Sequence, residues 1–358
     1  MKNITKFLLI GSISVASMPT ALAFDLYKDA DTELSFSGRL QARYNTYQDG
    51  SSMWDTGSTR WGLYAKQGIN ADLEVVAGSE WTVTANEENY DDDPHVHQRL
   101  LYAGLDHDRY GKLIFGQQLS VVWDVAWWTD LGRNYGSRAF GMYNYADFGE
   151  VSGTGRGEKA LTWRNEFGDW KLGLQYQGKR SDAKLAPGVK ADLGSGGGAS
   201  LSYSLAEHVE VGAAYYQNRY NDTTPGYGIS SGDDAQLWLA GILYLDDKWH
   251  AAMTLAQNKN WEVAENGQVF DSQGVQAYLY HHFENGLRPT FNYNWLEDTD
   301  GRSGGEKRHT YIYGLEYHFM REKFLVWGEY QNNHGTTWSG SSYEDSDDEW
   351  TAGIRYYF

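Results

Sequence analysis

The last ten residues, Glu349 to Phe358, alternate without a break. Trp350, Ala352, Ile354, Tyr356 and Phe358 fall on one side, and Glu349, Thr351, Gly353, Arg355 and Tyr357 on the other. A period of two is that of an extended strand. Chain ends ordinarily fray, so an amphipathic strand at the terminus needs a partner waiting for it. A closed barrel supplies one, because its last strand has to pair with its first, and in lipid that closure is obligatory.

The opposite end reads as an export signal. Lys2 and Lys6 precede an apolar run from Phe7 to Val15, and Ala21-Leu22-Ala23 fits a small-residue cleavage site. That run is too short to span a bilayer, so residues 1–23 read as a signal peptide, with the mature chain starting at Phe24. Removing its two lysines takes the formal charge from −18 to −20.

No later segment is long and apolar enough for a transmembrane helix, and the mean hydropathy is −0.62. Aromatic residues nevertheless make up 15% of the chain, with 41 Gly and only 5 Pro. Alternation with many aromatics, rather than apolar blocks, is what a membrane barrel requires, since half of each strand faces water in the lumen. There are no cysteines, which excludes disulfides and thiolate chemistry. The acidic balance argues against nucleic-acid partners.

The alternation recurs along the chain. Leu34, Phe36, Gly38, Leu40, Ala42 and Tyr44 oppose Ser35, Ser37, Arg39, Gln41, Arg43 and Asn45. Trp170, Leu172, Leu174 and Tyr176 oppose Lys171, Gly173, Gln175 and Gln177, and Leu287 to Trp295 behaves likewise. Short turn signals near residues 68–72, 106–111, 166–169, 206–208, 246–248, 284–286 and 320–323 alternate with longer polar stretches. Those stretches cover residues 46–58, 84–96, 119–155, 182–197, 220–233, 259–272, 298–307 and 334–348. Seven turns and eight loops separate sixteen strands in one all-β domain, residues 24–358. This predicts a sixteen-stranded antiparallel transmembrane β-barrel with short periplasmic turns and long external loops. A soluble sandwich accommodates the alternation, but not the export signal and terminal aromatic strand with it.

Trp81, Trp163, Trp170, Trp249, Trp295 and Trp327 lie near strand ends or on outward faces, and most of them read as an interfacial girdle. The acidic runs Asp91-Asp92-Asp93 and Glu344 to Glu349 fall on external loops. They are either solvated or bridged by divalent cations to lipopolysaccharide phosphates.

The stretch of residues 119–155 is the anomaly. Loops of this length are uncommon and usually functional, and sixteen strands enclose a bore too wide for wall side chains to fill. Val121, Val122, Trp123, Val125, Ala126, Trp127, Trp128 and Leu131 give it an apolar stripe, carrying Asp124 and Asp130. Such a stripe suits a loop folded inward as a constriction. Arg39, Arg43, Arg60, Arg99 and Arg156 fall at or beside inward positions, where a cation avoids the cost of facing lipid. Arginines opposite loop carboxylates would set a transverse field across a narrow opening.

Taken in order, Leu34 to Arg39, Arg60 to Lys66, Arg99 to Leu105, Gly111 to Gln118, Val122-Trp123-Asp124, Trp128-Thr129-Asp130, Leu161 to Asn165 and the terminal Phe358 form a pattern. In it the chain resembles the general diffusion porins of Gram-negative outer membranes. The resemblance implies a homotrimer with a constriction loop after the fifth strand, passing ions and small hydrophilic solutes. It implies a basic cluster of Arg39, Arg60, Arg99 and Arg156, with Asp130 as an acidic partner. The family's second loop carboxylate is missing, and Arg133 and Arg138 stand in that region. Asp124, Asp147 and Glu150 are the acids left to replace it. Trp123, Trp127 and Trp128 on one loop also raise the prospect of sugar stacking, as in chitooligosaccharide-selective porins. The alternative is that they hold the loop to the wall.

A barrel enzyme is the rival of another class. It needs a nucleophile and base, and His97, His281 and His282 lack a persuasive catalytic serine and acid, with no serine elbow motif in the chain. His281 and His282 are adjacent on a strand and point to opposite faces, so they cannot share a metal. No catalytic residue, metal site or cofactor is expected.

Overall fold

The structure is a computed structural model. It describes residues 23–47, 50–84, 96–144, 149, 151–186, 188–264, 266–320, 323–338, 341–342 and 348–358. Residues 1–22 of the expected signal peptide, Asp91 to Asp93, Asp147, Glu150, Glu344, Asp345 and Asp347 lie outside them.

Sixteen long strands form the wall. They are β1 (Thr32–Thr46), β2 (Arg60–Asn70), β3 (Leu73–Val83), β4 (Val96–His107), β5 (Gly111–Leu119), β6 (Arg156–Phe167), β7 (Trp170–Gln177) and β8 (Gly196–Ala206). The ring continues through β9 (Val209–Thr223), β10 (Asp234–Leu245), β11 (Trp249–Val263), β12 (Val269–His281), β13 (Leu287–Asp298), β14 (Lys307–Met320), β15 (Phe324–Asn333) and β16 (Glu349–Tyr357). Each pairs antiparallel with the next. β16 then pairs with β1 in register Arg39↔Tyr357 to Asn45↔Thr351, which closes the barrel. The terminal strand has the partner its alternation demanded. Phe358 exchanges backbone hydrogen bonds with Gly38 at 2.8 and 3.0 Å. Beyond it, Phe24–Lys28 pairs with the start of β1, so the two chain ends together complete one strand position.

Alternation sorts the two faces. Leu40, Phe115, Tyr176, Trp238, Tyr313 and Ile354 stand exposed on the outside, and Gln41, Gln175, Asn294, Thr351 and Arg355 are buried inside. A charged side chain on the outer face at mid-bilayer would cost about 2–4 kcal/mol, which is why the arginines take inward positions. Trp327 departs from the expected girdle. It is buried, on the inward parity of Leu325 and Glu329, and its ring lies over Gly353 on β16, where a Cβ would meet Cζ2 at 2.9 Å.

The short connections fall where the turn signals put them. In the β10–β11 turn, Asp246 accepts hydrogen bonds from the Lys248 and Trp249 amides at 2.8 and 2.7 Å. Gly286, at φ 88°, supplies the left-handed residue before β13. Several stretches expected as loops carry strand instead, among them residues 46–58, where Ser52–Asp55 pairs with the end of β1. Residues 182–197 include a hairpin, Arg180–Ala186 against Val189–Leu193, because Leu185, Val189 and Leu193 bury themselves with Tyr220, Ile229 and Val269. Residues 259–272 are mostly the extended ends of β11 and β12.

Candidate functional site

The residue 119–155 segment leaves β5 and returns at β6. The Ser120 amide donates to Gly155 O at 2.9 Å, and Gln175 ties both limbs, accepting from Val121 N at 2.9 Å and donating to Gly153 O at 2.8 Å. A helical turn, Trp123–Ala126, then lies on the inner wall. Val122, Val125, Ala126 and Trp128 pack with Ala214, Leu237, Leu239, Leu243, Ala252 and Ala256 from β9, β10 and β11. Burying each of the larger side chains is worth about 1.5–3 kcal/mol. The wall makes room with glycine: a Cβ at Gly212 would meet Trp128 Cη2 at 2.7 Å, and one at Gly241 its Cε3 at 3.1 Å. Polar clamps complete the seat. Asp124 accepts from Arg164 Nε at 3.0 Å and Ser200 Oγ at 2.7 Å. Gln276 donates to Thr129 O at 2.8 Å.

The loop then crosses to the opposite side. Glu329 on β15 accepts from three successive amides, those of Arg133, Asn134 and Tyr135, at 2.5, 2.8 and 3.0 Å. Arg133 lays its guanidinium on Glu316 of β14, with Nε–Oε1 2.8 Å and Nη2–Oε2 2.9 Å. Arg288 of β13 takes the other side of that carboxylate. Bidentate, charge-assisted pairs of this kind are the strong ones. Arg133, in the region where the family's second acid is expected, is thus a brace from loop to wall. Arg138 is exposed, held through its backbone: its amide donates to Asn294 Oδ1 at 3.2 Å, and its carbonyl accepts from Arg308 Nη1 at 3.1 Å.

Facing the loop is the basic wall. Arg39 and Arg60 are register partners on β1 and β2. Glu80 of β3 accepts from Arg99 Nε of β4 at 2.6 Å and stands 3.5 Å from Arg60 Nε. The charges of Arg355, Arg60 and Arg99 act on Arg39, and those of Arg60 and Arg156 on Arg99. The four arginines read from the sequence therefore share one arc of wall. Across the gap, Asp130 is held by the hydroxyls of Ser137 and Tyr143, the latter at 2.7 Å. Asp130 lies within electrostatic reach of Arg60, and Tyr143 of Arg156 and Arg99.

Two candidate roles need correction. Asp124 spends its oxygens on Arg164 and Ser200, making it a clamp for the loop. Trp128 is 1% exposed, so neither ring face is open to a sugar; it holds the loop to the wall. Trp123 and Trp127 are half-buried against the same core, and Trp127 meets the His250 ring edge-on at 6.1 Å. These rings do not form an open run of three. His281 and His282 lie on opposite faces as expected, beside Trp249 and His318 respectively.

Glu80, Glu316 and Glu329 were not singled out from the sequence, and Arg355 was given a face but no role. Each occupies an inward position of an alternating strand, which is the signal that could have found them.

A closed barrel, narrowed from within by its own loop and carrying both signs of charge at the gap, defines a water-filled channel protein. The comparisons carry this further. A family model for Gram-negative porins matches residues 20–245. Outer membrane porin F of Salmonella typhimurium is 27% identical over 95% of both chains. Outer membrane protein YedS of Escherichia coli is 25% identical over the whole of both. The solved Salmonella typhi OmpF superposes with a TM-score of 0.78 at 24% identity, covering 94% of this chain and all of that one. An anion-selective porin from Comamonas acidovorans does so at 0.68 and 14% identity, covering 92% and 100%. The chain belongs to the Gram-negative porin family. It is a porin of the outer membrane, a passive route for ions and small hydrophilic solutes.

Proposed function

We propose that solutes pass between the wall bearing Arg39, Arg60, Arg99 and Arg156 and the loop edge formed by Asp130 and Tyr143. What supports this is the electrostatic reach of Arg60 to Asp130 and of Arg156 and Arg99 to Tyr143, together with the shared hydrogen bond that joins Tyr143 to Asp130 on the loop. Fixed charges of opposite sign across a narrow gap orient dipolar solutes and water. Apolar solutes gain nothing there for the hydration they shed. The named relatives are porins, which favours a channel over a barrel enzyme.

The test is the reversal potential in a salt gradient. Arg60→Glu or Arg99→Glu should each move it toward cation preference, and an unmoved potential would take that residue out of the conducting path. Likeness to the OmpF porins supports a homotrimer in the same membrane, conducting in steps of three. A single step, with no trimer on unheated gels, would refute the assembly.

Of the acids expected to bridge cations to lipopolysaccharide, Asp348 is already engaged. It accepts from Asn332 Nδ2 and Asn333 N at 2.8 Å. A bridging role for it would have to break that hairpin clasp.

A further inference from the structure

The basic wall does not stop at β1. Arg355 on β16 is 2% exposed and is the diagonal neighbour of Arg39 across the closing strand pair, where Gln41 faces Arg355 and Tyr357 faces Arg39. Its guanidinium has neutral partners: Gln41 Oε1 at 2.6 Å, the Tyr357 hydroxyl at 3.1 Å and Arg133 O at 3.5 Å. Among the described residues, Arg39 likewise donates only to Ser58, through Nε to the carbonyl at 2.7 Å and through Nη2 to the hydroxyl. Glu80 already serves both Arg60 and Arg99. Glu316, the carboxylate nearest Arg355 in effect, is committed to Arg133 and Arg288. Among the described residues, the arc from β16 to β4 therefore sets Arg355, Arg39, Arg60 and Arg99 against Glu80, while Arg43 and Asp55 pair with each other at 2.6 Å. A buried charge with dipolar rather than ionic partners is screened little, so its field reaches the water beside it.

We propose that Arg355 is a selectivity-determining residue: a fixed positive charge behind Arg39 that biases the constriction toward small oxyanions, carboxylates and phosphates, whose paired oxygens match the guanidinium edges of Arg39 and Arg60. Arg355 acts through its field, and Arg39 and Arg60 touch the solute. The inference rests on the conducting path proposed above and names the solute class that path favours. The acidic character of the chain as a whole does not oppose it, because the narrowest level, where each solute sheds most water, sets the preference.

The experiment uses the full protein in planar bilayers. Reversal potentials are read in a tenfold KCl gradient, and KCl current is read with and without millimolar inorganic phosphate. The wild type should favour anions and lose current to phosphate. Arg355→Gln should lower the anion-to-cation permeability ratio at least about twofold and weaken the phosphate effect, while Arg355→Lys, which keeps the charge, should restore most of the ratio. Gln41→Leu removes a hydrogen-bond partner and keeps the charge, so it should leave the ratio unchanged. Arg219→Gln, the same charge change at the exposed Asp234 pair, should also leave it unchanged. A cation-selective wild type overturns the proposal. So does an Arg355→Gln ratio equal to that of the wild type, or a Gln41→Leu shift as large as that of Arg355→Gln. Absence of any conductance would instead refute the conducting path.

Discussion

Two arcs of one barrel follow the same alternation and present opposite interiors. From β16 to β4 the inward positions hold Arg355, Arg39, Gln41, Arg60, Glu80 and Arg99. From β9 to β11 they hold Ala214, Leu237, Leu239, Leu243, Ala252 and Ala256, with Gly212 and Gly241 between them. The first arc faces water and the second faces the loop. An inward apolar stretch in a wide barrel thus marks where something covers the wall. β10 shows it most plainly: Trp238 and Ile242 are exposed outside while Leu237, Leu239 and Leu243 are buried inside. The two arcs depend on one another, because the loop's seat on the apolar arc sets how far Asp130 and Tyr143 stand from the arginines.

The comparison breaks most readily at Trp128. Trp128→Ala removes the indole over Gly212 and Gly241 and should cost about 3–5 kcal/mol of loop docking. The barrel closes through its own strand pairing, so heat-modifiable folded protein should persist while single-channel conductance rises and becomes noisy. Conductance equal to the wild type would show that the apolar arc does not hold the constriction.

A smaller effect is expected at the far end of the loop. Glu329→Gln leaves an oxygen to accept but removes the charge from three amides, and should cost about 1.5–3 kcal/mol at the loop tip. Arg133 remains clamped on Glu316, so mean conductance should change little and open-channel current noise should increase. If noise stays at the wild-type level, the amide cluster does not limit loop motion.

Much of this was legible beforehand because alternation reports one property, the side a residue faces. It gave the strand count, the turns and the inward side of Arg39 and Arg60, since an arginine turned toward lipid would be too costly; Arg99 shares the parity of the exposed Leu101 and Leu105 and is turned inward by a bulge opposite Glu80 and Trp81. It could not say what an inward residue meets. Glu329 looks like any lumen acid until the loop backbone arrives, and Arg133 looks like a pore charge until Glu316 is found beneath it. Trp128 was open to two readings for the same reason, and the shape of the glycine floor decided between them. Trp327 misled because an aromatic near a strand end resembles a girdle residue; the glycine that admits it lies on the next strand. The hairpin at residues 180–193 alternates visibly, yet it lies in a stretch whose flanking turns read as one long loop.

The smallest expected effect lies beneath the apolar arc, in the turn joining β10 to β11. Asp246 accepts the Tyr244 hydroxyl at 2.6 Å and the amides of Lys248 and Trp249. With the tyrosine bond the largest influence, its carboxyl is held down to about 2. The ordinary value is about 3.9. A group whose acidity is strengthened on folding stabilises above its unfolded value, and that contribution fades as pH falls toward the folded one. Asp246→Asn should therefore melt slightly below the wild type at neutral pH, with the gap closing between pH of about 4 and about 2. Conductance and reversal potential should not move, because neither arc's interior is touched. A melting gap independent of pH would remove the carboxylate's charge from the account of the turn, and a shifted conductance would mean that the loop's seat depends on the turn below it.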